Sequence, residues 1–306
     1  MRIHLVSRAL ILCSCAFLFD IGPAAAQDWP STRPERSDYR ETSRYDDVTR
    51  FLDGLEGRHP MLQLTSFGYS EEGRPLPLAV FGDVADGSAA AVRSSGATRV
   101  LVFANIHAGE VAGKEAAQVL AREMARGLRD RWADSLVILV APIYNADGNE
   151  HIDLRNRPRQ HGPVAGMGRR PNARGLDLTR DNAKLESAEA RALSRLVQEY
   201  DPHVALDLHT TNGTFHAYHL TYAPPLHPST DPGITTLLRE EWLPAVTASV
   251  RDRYGWEFFY YGNVPGTFGM SGERGWYTID HRPRFTTNYL WLRNRIGILS
   301  EAYSSL

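Results

Sequence analysis

Cysteine is almost absent from this chain of 306 residues, which contains only Cys13 and Cys15. Both lie in an apolar segment near the N-terminus that has the features of a cleavable export signal. If that segment is removed, the mature chain has no disulfide, no thiol nucleophile and no cysteine ligand for a metal ion. Any catalytic or metal chemistry must therefore depend on other side chains.

An excess of one sign of charge is also lacking. The chain has 34 Lys and Arg residues against 36 Asp and Glu residues, a formal net charge of −2 at pH 7. Proteins that bind nucleic acid usually carry a strongly basic face, so this composition gives no support to a nucleic-acid partner. After the N-terminal segment, no apolar run reaches the roughly 20 residues that a membrane span needs. We therefore expect no membrane span.

The first 26 residues predict a secretory signal peptide. A basic start precedes an apolar core over residues 9–19, and three alanines at 24–26 form a small-residue cleavage site. The apolar core is too short to span a bilayer. We therefore expect an exported protein, periplasmic or secreted, whose mature chain begins at Gln27.

Hydrophobic patterning after residue 44 predicts one α/β domain over residues 45–306. Residues 27–44 are polar and proline-containing, which predicts an exposed lead-in, and residues 85–97 predict a loop. Helices are predicted at residues 45–55, 112–128, 184–200 and 234–254, and strands at 62–69, 76–81, 100–104, 136–142, 204–208 and 296–300. Periodicity vanishes over residues 145–182.

The segment RVLVFANIHAGEVAG, residues 99–113, places His107 and Glu110 directly after a buried strand. Ligands of α/β sheets bind at the carboxyl ends of strands. An imidazole and a carboxylate three residues apart can hold one side of a zinc ion, which at a catalytic site takes three protein ligands. A solvated pair, or a carboxylate at a helix N-terminus, is the alternative for an isolated motif of this kind.

His209 is the best candidate for the third ligand, because it ends the strand VALDLH at residues 204–209. Asp207 alternates with it along the strand and is a candidate for orienting a metal-bound imidazole. Glu301 follows the apolar strand GILS and is the candidate base. Burial raises the pKa of such a carboxyl group, whereas a neighbouring cation lowers it and keeps it ionised. The alternative for Glu301 is a surface acid near the C-terminus.

Five motifs occur in a fixed order, namely His107-Ala-Gly-Glu110, Asn145-Ala-Asp-Gly148, Gly175-Leu-Asp-Leu-Thr-Arg180, Leu208-His209-Thr and Gly297-Ile-Leu-Ser-Glu301. Together they resemble the zinc carboxypeptidase family, the M14 metallopeptidases, over roughly residues 45–306. The resemblance implies a single α/β domain with a mixed, mostly parallel central sheet flanked by helices. It also implies one Zn²⁺ bound by His107, Glu110 and His209. Glu301 would be the general base, which takes a proton from the attacking water and returns it to the leaving amine.

Substrate-binding residues follow from the same resemblance. Arg157 is the best match to the arginine that stabilises the oxyanion, and Arg180 to the clamp for the substrate's C-terminal carboxylate. Thr179 stands where the family usually has asparagine, which removes one amide donor from that clamp. Tyr289 is the preferred match to the family's mobile tyrosine, with Tyr277 as the alternative.

Three further expectations concern the loops and the C-terminus. A run over residues 155–174 contains six arginines and no acid, which predicts either a functional or a solvated loop. The specificity pocket should lie within residues 278–292. The chain stops five residues after Glu301, where the family fold continues into a terminal helix, so we expect a truncated fold with one sheet face exposed.

The leading hypothesis is an exported zinc peptidase that acts on the C-terminus of a peptide substrate. A zinc amidohydrolase that deacylates N-acyl amino acids shares the metal ligands and is the first alternative. A peptidase-like binding module without catalysis is the second. The arginines between residues 157 and 180 favour the peptidase, because guanidinium groups suit carboxylate and oxyanion recognition. Zinc is expected, although Co²⁺ or Mn²⁺ can occupy similar ligands.

Overall fold

The computed structural model describes residues 28–224, 226–265, 274–278 and 280–305. The predicted signal peptide at residues 1–26 lies outside this part of the chain. Within it, no helix combines the length and the apolar character that crossing a bilayer requires.

The described strands form one mixed sheet at the centre of the domain. They are β1 (Leu62–Tyr69), β2 (Pro75–Phe81), β3 (Thr98–Ala104), β4 (Leu136–Ala141), β5 (Val204–Thr210), β6 (Leu220–Ala223), β7 (Phe258–Tyr260) and β8 (Ile296–Ala302). Their order across the sheet is β1-β2-β4-β3-β5-β8-β6-β7. Strands β4, β3, β5 and β8 run parallel to one another, as do β6 and β7, and the other pairs are antiparallel. The mixed, mostly parallel sheet is confirmed.

Helices flank this sheet. They are α1 (Arg33–Arg36), α2 (Tyr45–Asp53), α3 (Ala89–Ser94), α4 (Val111–Ala125), α5 (Ala146–Glu150), α6 (Ala188–Tyr200), α7 (Pro232–Thr236), α8 (Leu243–Tyr254) and α9 (Thr286–Trp291). A π-helical segment, Leu237–Trp242, joins α7 to α8, so the helix predicted over residues 234–254 is continuous. The loop predicted over residues 85–97 is interrupted by α3, because the Ser88 side chain accepts a hydrogen bond from Ala91 N and begins the helix there.

The core lies on both faces of the central strands. Leu101 and Phe103 in β3 are buried, as are Leu139 and Val140 in β4. Burial on both faces accounts for the unbroken apolar runs in these strands, and each such side chain contributes roughly 1.5–3 kcal/mol of hydrophobic stabilisation. The core therefore fixes the carboxyl ends of β3 and β5 side by side.

An apolar groove crosses the sheet beside α4. Strands β3, β4 and β5 form its floor, and the Leu120 and Trp132 side chains lie along its edge. Val100 and Leu206 in the groove are only partly buried. These two side chains therefore pack against the core on one side and are partly open to solvent in the groove.

Residues 28–44 pack against the domain in part. Thr32, Pro34, Thr42 and Ser43 are buried, whereas residues 38–40 and Arg44 are exposed. Ser43 is fully buried, and its backbone N–H and hydroxyl donate to the Glu115 carboxylate at 2.8 and 2.6 Å. Arg122 donates two hydrogen bonds to Glu35, at 2.7 and 2.5 Å. These contacts tie α1 and the segment after it to α4, although the segment itself is polar.

Candidate metal centre

The turn between β3 and α4 positions the first two predicted ligands. Asn105 leaves β3 with a φ of 67°, in the left-handed region that asparagine tolerates better than most residues. The backbone N–H of Glu110 then donates to the His107 carbonyl at 2.9 Å, and α4 begins at the next residue. Both side chains are thereby directed from one short turn at the carboxyl end of β3.

His209 approaches this turn from β5, the parallel neighbour of β3. Glu110 Oε1 lies 2.9 Å from His107 Nδ1, and Glu110 Oε2 lies 2.7 Å from His209 Nδ1. One donor atom from each residue falls within 4.8 Å of the others, and all three side chains are buried. Donors to one tetrahedral zinc ion are about 3.4 Å apart, given Zn–N and Zn–O distances of about 2.0–2.2 Å. The cluster therefore fits one Zn²⁺ and can leave a coordination position for water or substrate.

The charges of the cluster also suit a cation. Burial opposes ionisation of Glu110, but Arg157, His107 and His209 outweigh it and hold the pKa of Glu110 well below its ordinary value. Burial likewise opposes protonation of His209, yet Asp207 and Glu110 outweigh it and raise the pKa of that imidazole. Protons and a metal ion thus compete for the same nitrogen atoms.

The outer nitrogen of each imidazole has a polar neighbour. Thr179 Oγ1 lies 2.6 Å from His107 Nε2, and Asp177 Oδ1 lies 3.2 Å from it. Asp207 Oδ1 lies 3.0 Å from His209 Nε2, in contact but not aligned as a hydrogen bond. Such neighbours fix the orientation of imidazoles that bind a metal. Thr179, predicted to contact substrate, is therefore placed where it also holds His107.

Glu301 lies on β8, where it is the register partner of His209 in the adjacent parallel strand. Its side chain is buried at the wall of the cavity onto which the metal ligands open. Burial raises the pKa of Glu301 to about 8, with smaller contributions from the carboxylates of Glu110 and Asp207. A divalent cation bound beside it would lower this pKa again.

The cavity has a volume of about 440 Å³. Seven of the described residues that line it lie between Thr278 and Thr287, within the segment predicted to form the specificity pocket. Four arginines also line it, namely Arg170, Arg180, Arg282 and Arg284. The space is thus large enough for an amino-acid residue. Its wall also carries the carboxyl groups of Glu110, Asp207, Asp280 and Glu301.

The structure distinguishes Arg157 from Arg170. The Arg157 guanidinium contacts Glu110 Oε1 and donates through Nε to Gln160 Oε1 at 2.7 Å, and it is not among the described groups that line the cavity. Arg170 does line it, with Nη1 at 3.3 Å from His107 Nδ1 and with two hydrogen bonds to Asp177 Oδ2. Sequence reasoning missed Arg170, although it lies in the arginine-rich run.

The structure places both candidate tyrosines away from the described cavity wall. Tyr289 in α9 faces α6, where its hydroxyl lies 3.4 Å from Ser194 Oγ, and Arg293 packs over its ring at 4.4 Å. It therefore lies outside the described cavity wall. Tyr277 is also outside that wall, and its backbone pairs with Asn263. Tyr261 directly after β7 is the tyrosine that lines the cavity, and no motif in the sequence singled it out.

Comparisons with known proteins agree with this geometry. The sequence model of the Peptidase M14 family, described as zinc carboxypeptidase, matches residues 48–279. Carboxypeptidase 2 of Trichophyton rubrum is 31% identical over 144 residues, which are 46% of this chain and 23% of that relative. Carboxypeptidase 2 of Trichophyton tonsurans is 30% identical over 144 residues, again 46% of this chain and 23% of the relative. The chain thus matches less than a quarter of the length of these curated relatives.

Solved structures show the same fold. A metallo-carboxypeptidase from Burkholderia cenocepacia superposes with a TM-score of 0.62 at 17% identity, over 86% of this chain and 60% of that one. Carboxypeptidase A from Helicoverpa armigera gives a TM-score of 0.60 at 14% identity, over 86% and 64% of the two chains. With the family match over most of the described residues, the conclusion is that this chain belongs to the zinc carboxypeptidase family, Peptidase M14.

Proposed function

We propose that this protein is an exported zinc metallocarboxypeptidase that hydrolyses the last peptide bond of a peptide substrate. The convergence of His107, Glu110 and His209 beside Glu301, on one cavity, is the observation that carries the proposal. Export rests on the signal-like sequence of residues 1–26.

Zinc held by these three ligands would polarise the scissile carbonyl and lower the pKa of water, which is about 15.7 in bulk, towards 7. Glu301 would take the proton of the attacking water and pass it to the leaving amine nitrogen. One C–O bond forms, the C–N bond breaks and one water is consumed. The buried position of Glu301 beside His209 supports this role, because the Glu301 carboxylate lies next to the metal ligands and is not itself one of the three ligands.

Arg170 is the stronger candidate for stabilising the oxyanion. Its guanidinium lies at the cavity wall next to His107 and is oriented by Asp177. Arg157, the choice from the sequence, is engaged by Glu110 and would act instead by stabilising that carboxylate. The variants Arg170→Gln and Arg157→Gln distinguish these two roles. Loss of an oxyanion donor lowers kcat by roughly 10²–10³-fold, which is the loss expected of Arg170→Gln.

Arg180 would bind the substrate's C-terminal carboxylate. Arg180 lines the cavity, and its guanidinium lies over the Phe285 ring, 4.1 Å from the centroid. This stacking fixes the plane in which the guanidinium N–H groups can donate to a carboxylate. Thr179 beside it is engaged by His107. Arg180 is therefore the group on which carboxylate recognition would mainly depend.

Three substrates test the proposal on the full chain loaded with zinc: a short peptide, the same peptide with an amidated C-terminus, and an N-acetyl amino acid. We expect release of the last residue from the first peptide only. Arg180→Gln should lose this activity to an extent comparable with the loss caused by amidating the peptide. Arg174→Gln, a change outside the cavity wall, is the matched control. Preferential hydrolysis of the N-acetyl amino acid would establish an amidohydrolase instead, and zinc binding without hydrolysis of any substrate would establish a binding module.

A further inference from the structure

The four arginines of the cavity differ in how their charges are balanced. Arg170 donates two hydrogen bonds to Asp177, at 2.9 and 3.0 Å. Arg282 contacts Asp280 through both Nε and Nη2. Each of these two guanidinium groups therefore has a carboxylate of its own, and their net charge in the cavity is small.

Arg180 and Arg284 lack such a balance. Within the described part of the chain, no carboxylate oxygen lies within 4.0 Å of the Arg180 guanidinium. Arg284 makes only a long ion-pair contact with Asp280. Its Nη2 lies 3.6 Å from Asp280 Oδ2, and Arg282 already binds that oxygen. The Arg284 Nε is buried and has no described acceptor. An unmet donor of this kind costs free energy unless a ligand supplies the acceptor.

Both of these guanidinium groups pack on one aromatic ring. Their central carbons lie 4.1 Å (Arg180) and 4.9 Å (Arg284) from the centroid of Phe285. The quadrupole of the ring attracts both cations and holds them near each other despite their repulsion. Burial is the main cause that lowers the pKa of Arg180, and repulsion from Arg170 and Arg284 adds to it against the attraction of Asp177. Two cations at this spacing suit a ligand that carries two negative charges a few bonds apart.

We propose that the cavity selects peptides whose C-terminal residue has an acidic side chain, with Arg180 binding the terminal carboxylate and Arg284 the side-chain carboxylate. This inference rests on the carboxypeptidase function proposed above. A C-terminal glutamate or aspartate carries two carboxylates on one residue, the terminal carboxylate and the side-chain carboxylate. Both can therefore reach neighbouring guanidinium groups. Arg284 is then the residue that determines specificity.

Asp280 is the group that could argue for the opposite preference, because a carboxylate in the pocket would attract a basic side chain. Its oxygens already accept from the Arg282 side chain and from the Arg282 backbone N–H at 2.8 Å. Those hydrogen bonds hold the pKa of Asp280 below its ordinary value. A lysine side chain would have to displace Arg282 while also approaching Arg284, so we expect basic residues to be poor substrates.

The test compares kcat/KM for peptides that differ only in their last residue, which is glutamate, aspartate, glutamine, leucine or lysine, using the zinc-loaded full chain. Glutamate against glutamine is the decisive pair, because the two are isosteric and differ in charge. A hydrogen bond to a charged group contributes enough to give a preference of about 10- to 100-fold for glutamate. In Arg284→Gln this preference should disappear while the rate on the glutamine peptide stays within a few-fold. Arg284→Lys should retain part of it.

Arg293→Gln is the matched control, because Arg293 also packs on an aromatic ring, that of Tyr289, but lies outside the cavity wall. It should leave the glutamate preference intact. Equal rates on glutamate and glutamine peptides in the unaltered protein, or an equal loss on all peptides in Arg284→Gln, would overturn the inference and leave the carboxypeptidase proposal standing. Failure to cleave any of the five peptides would instead contradict the carboxypeptidase proposal itself.

Discussion

His209 and Glu301 are register partners on the adjacent parallel strands β5 and β8. They lie almost a hundred residues apart in the chain, yet parallel pairing places them side by side at the carboxyl edge of the sheet. His209 reaches Glu110 at 2.7 Å, so a potential base adjoins the metal ligands without contributing to them. Removing the carboxylate of Glu301 should therefore leave the metal site intact.

Glu301→Gln should abolish hydrolysis without releasing the metal. Glutamine keeps the shape of the side chain but cannot accept the proton, and loss of a general base typically costs about 10²–10⁴-fold in kcat. Zinc content, measured by atomic emission after dialysis, should stay at the level of the unaltered protein. The exposed residue Glu241 provides the control Glu241→Gln. Full activity in Glu301→Gln would contradict the proposed role.

Asp207→Asn should weaken zinc binding. Asp207 is buried and lies 3.0 Å from His209 Nε2, where its charge supports the imidazole. Loss of such an outer partner typically lowers metal affinity about 10- to 100-fold. The dissociation constant is measured by competition with a fluorescent zinc chelator. An unchanged constant would show that Asp207 serves the fold alone.

The Glu35 and Arg122 pair should make stability depend on pH in the acidic range. Hydrogen bonds from Arg122 lower the pKa of Glu35 from 4.5 to about 2. The stabilisation from this pair is therefore complete above about pH 4.5 and is lost as the pH falls towards 2. Glu35→Gln should reduce the free energy of unfolding by about 1 kcal/mol near neutral pH, because the pair is partly exposed to solvent.

Urea unfolding from pH 7 down to pH 3, in chelator, measures the difference between the two proteins. That difference should shrink below pH 4.5. Glu41→Gln is the control, since the side chains of Glu41 and its partner Arg33 are more exposed, at 37% and 43%, than those of Glu35 and Arg122, at 26% and 14%. A difference that stays constant across the series would refute the linkage.

Lys114→Met should loosen the N-terminal segment. Lys114 is fully buried and donates to the Ser43 carbonyl and to Asn149 Oδ1, the latter at 2.6 Å. Methionine fills a similar volume but leaves these acceptors without a donor, at a cost of about 1–3 kcal/mol. Limited proteolysis should then cut residues 28–44 faster than in the unaltered protein. Lys184→Met, at an exposed lysine, should have little effect on the rate of this proteolysis.

The sequence alone predicts the strands and ligands that parallel strand pairing brings together. Apolar runs before His107, His209 and Glu301 predicted buried strands, and the parallel arrangement implied by the family resemblance brings their carboxyl ends to one edge of the sheet. The helix starting after Glu110 followed from the change in hydrophobic period. These features are local or depend on one topology, so a single sequence conveys them.

The positions of Arg170, Tyr261 and Tyr289 could not be predicted from the sequence. Arg170 lies in a loop without periodicity, and its side chain is oriented by the Asp177 carboxylate, seven residues further along the chain. The spacing before Glu301 favours Tyr289, but the turn of α9 directs its side chain towards α6. The lead-in is polar in sequence, and its burial depends on hydrogen bonds to α4 that no pattern within residues 28–44 reveals.

The most direct test of the central claim is a zinc titration of chelator-stripped protein, with bound metal and release of the C-terminal amino acid followed in the same samples. Three ligands in one cluster predict that activity rises in proportion to bound zinc and stops rising at one ion per chain. His209→Ala should lose both tight zinc binding and activity. Full hydrolysis by the stripped protein, or tight zinc binding in His209→Ala, would contradict the account.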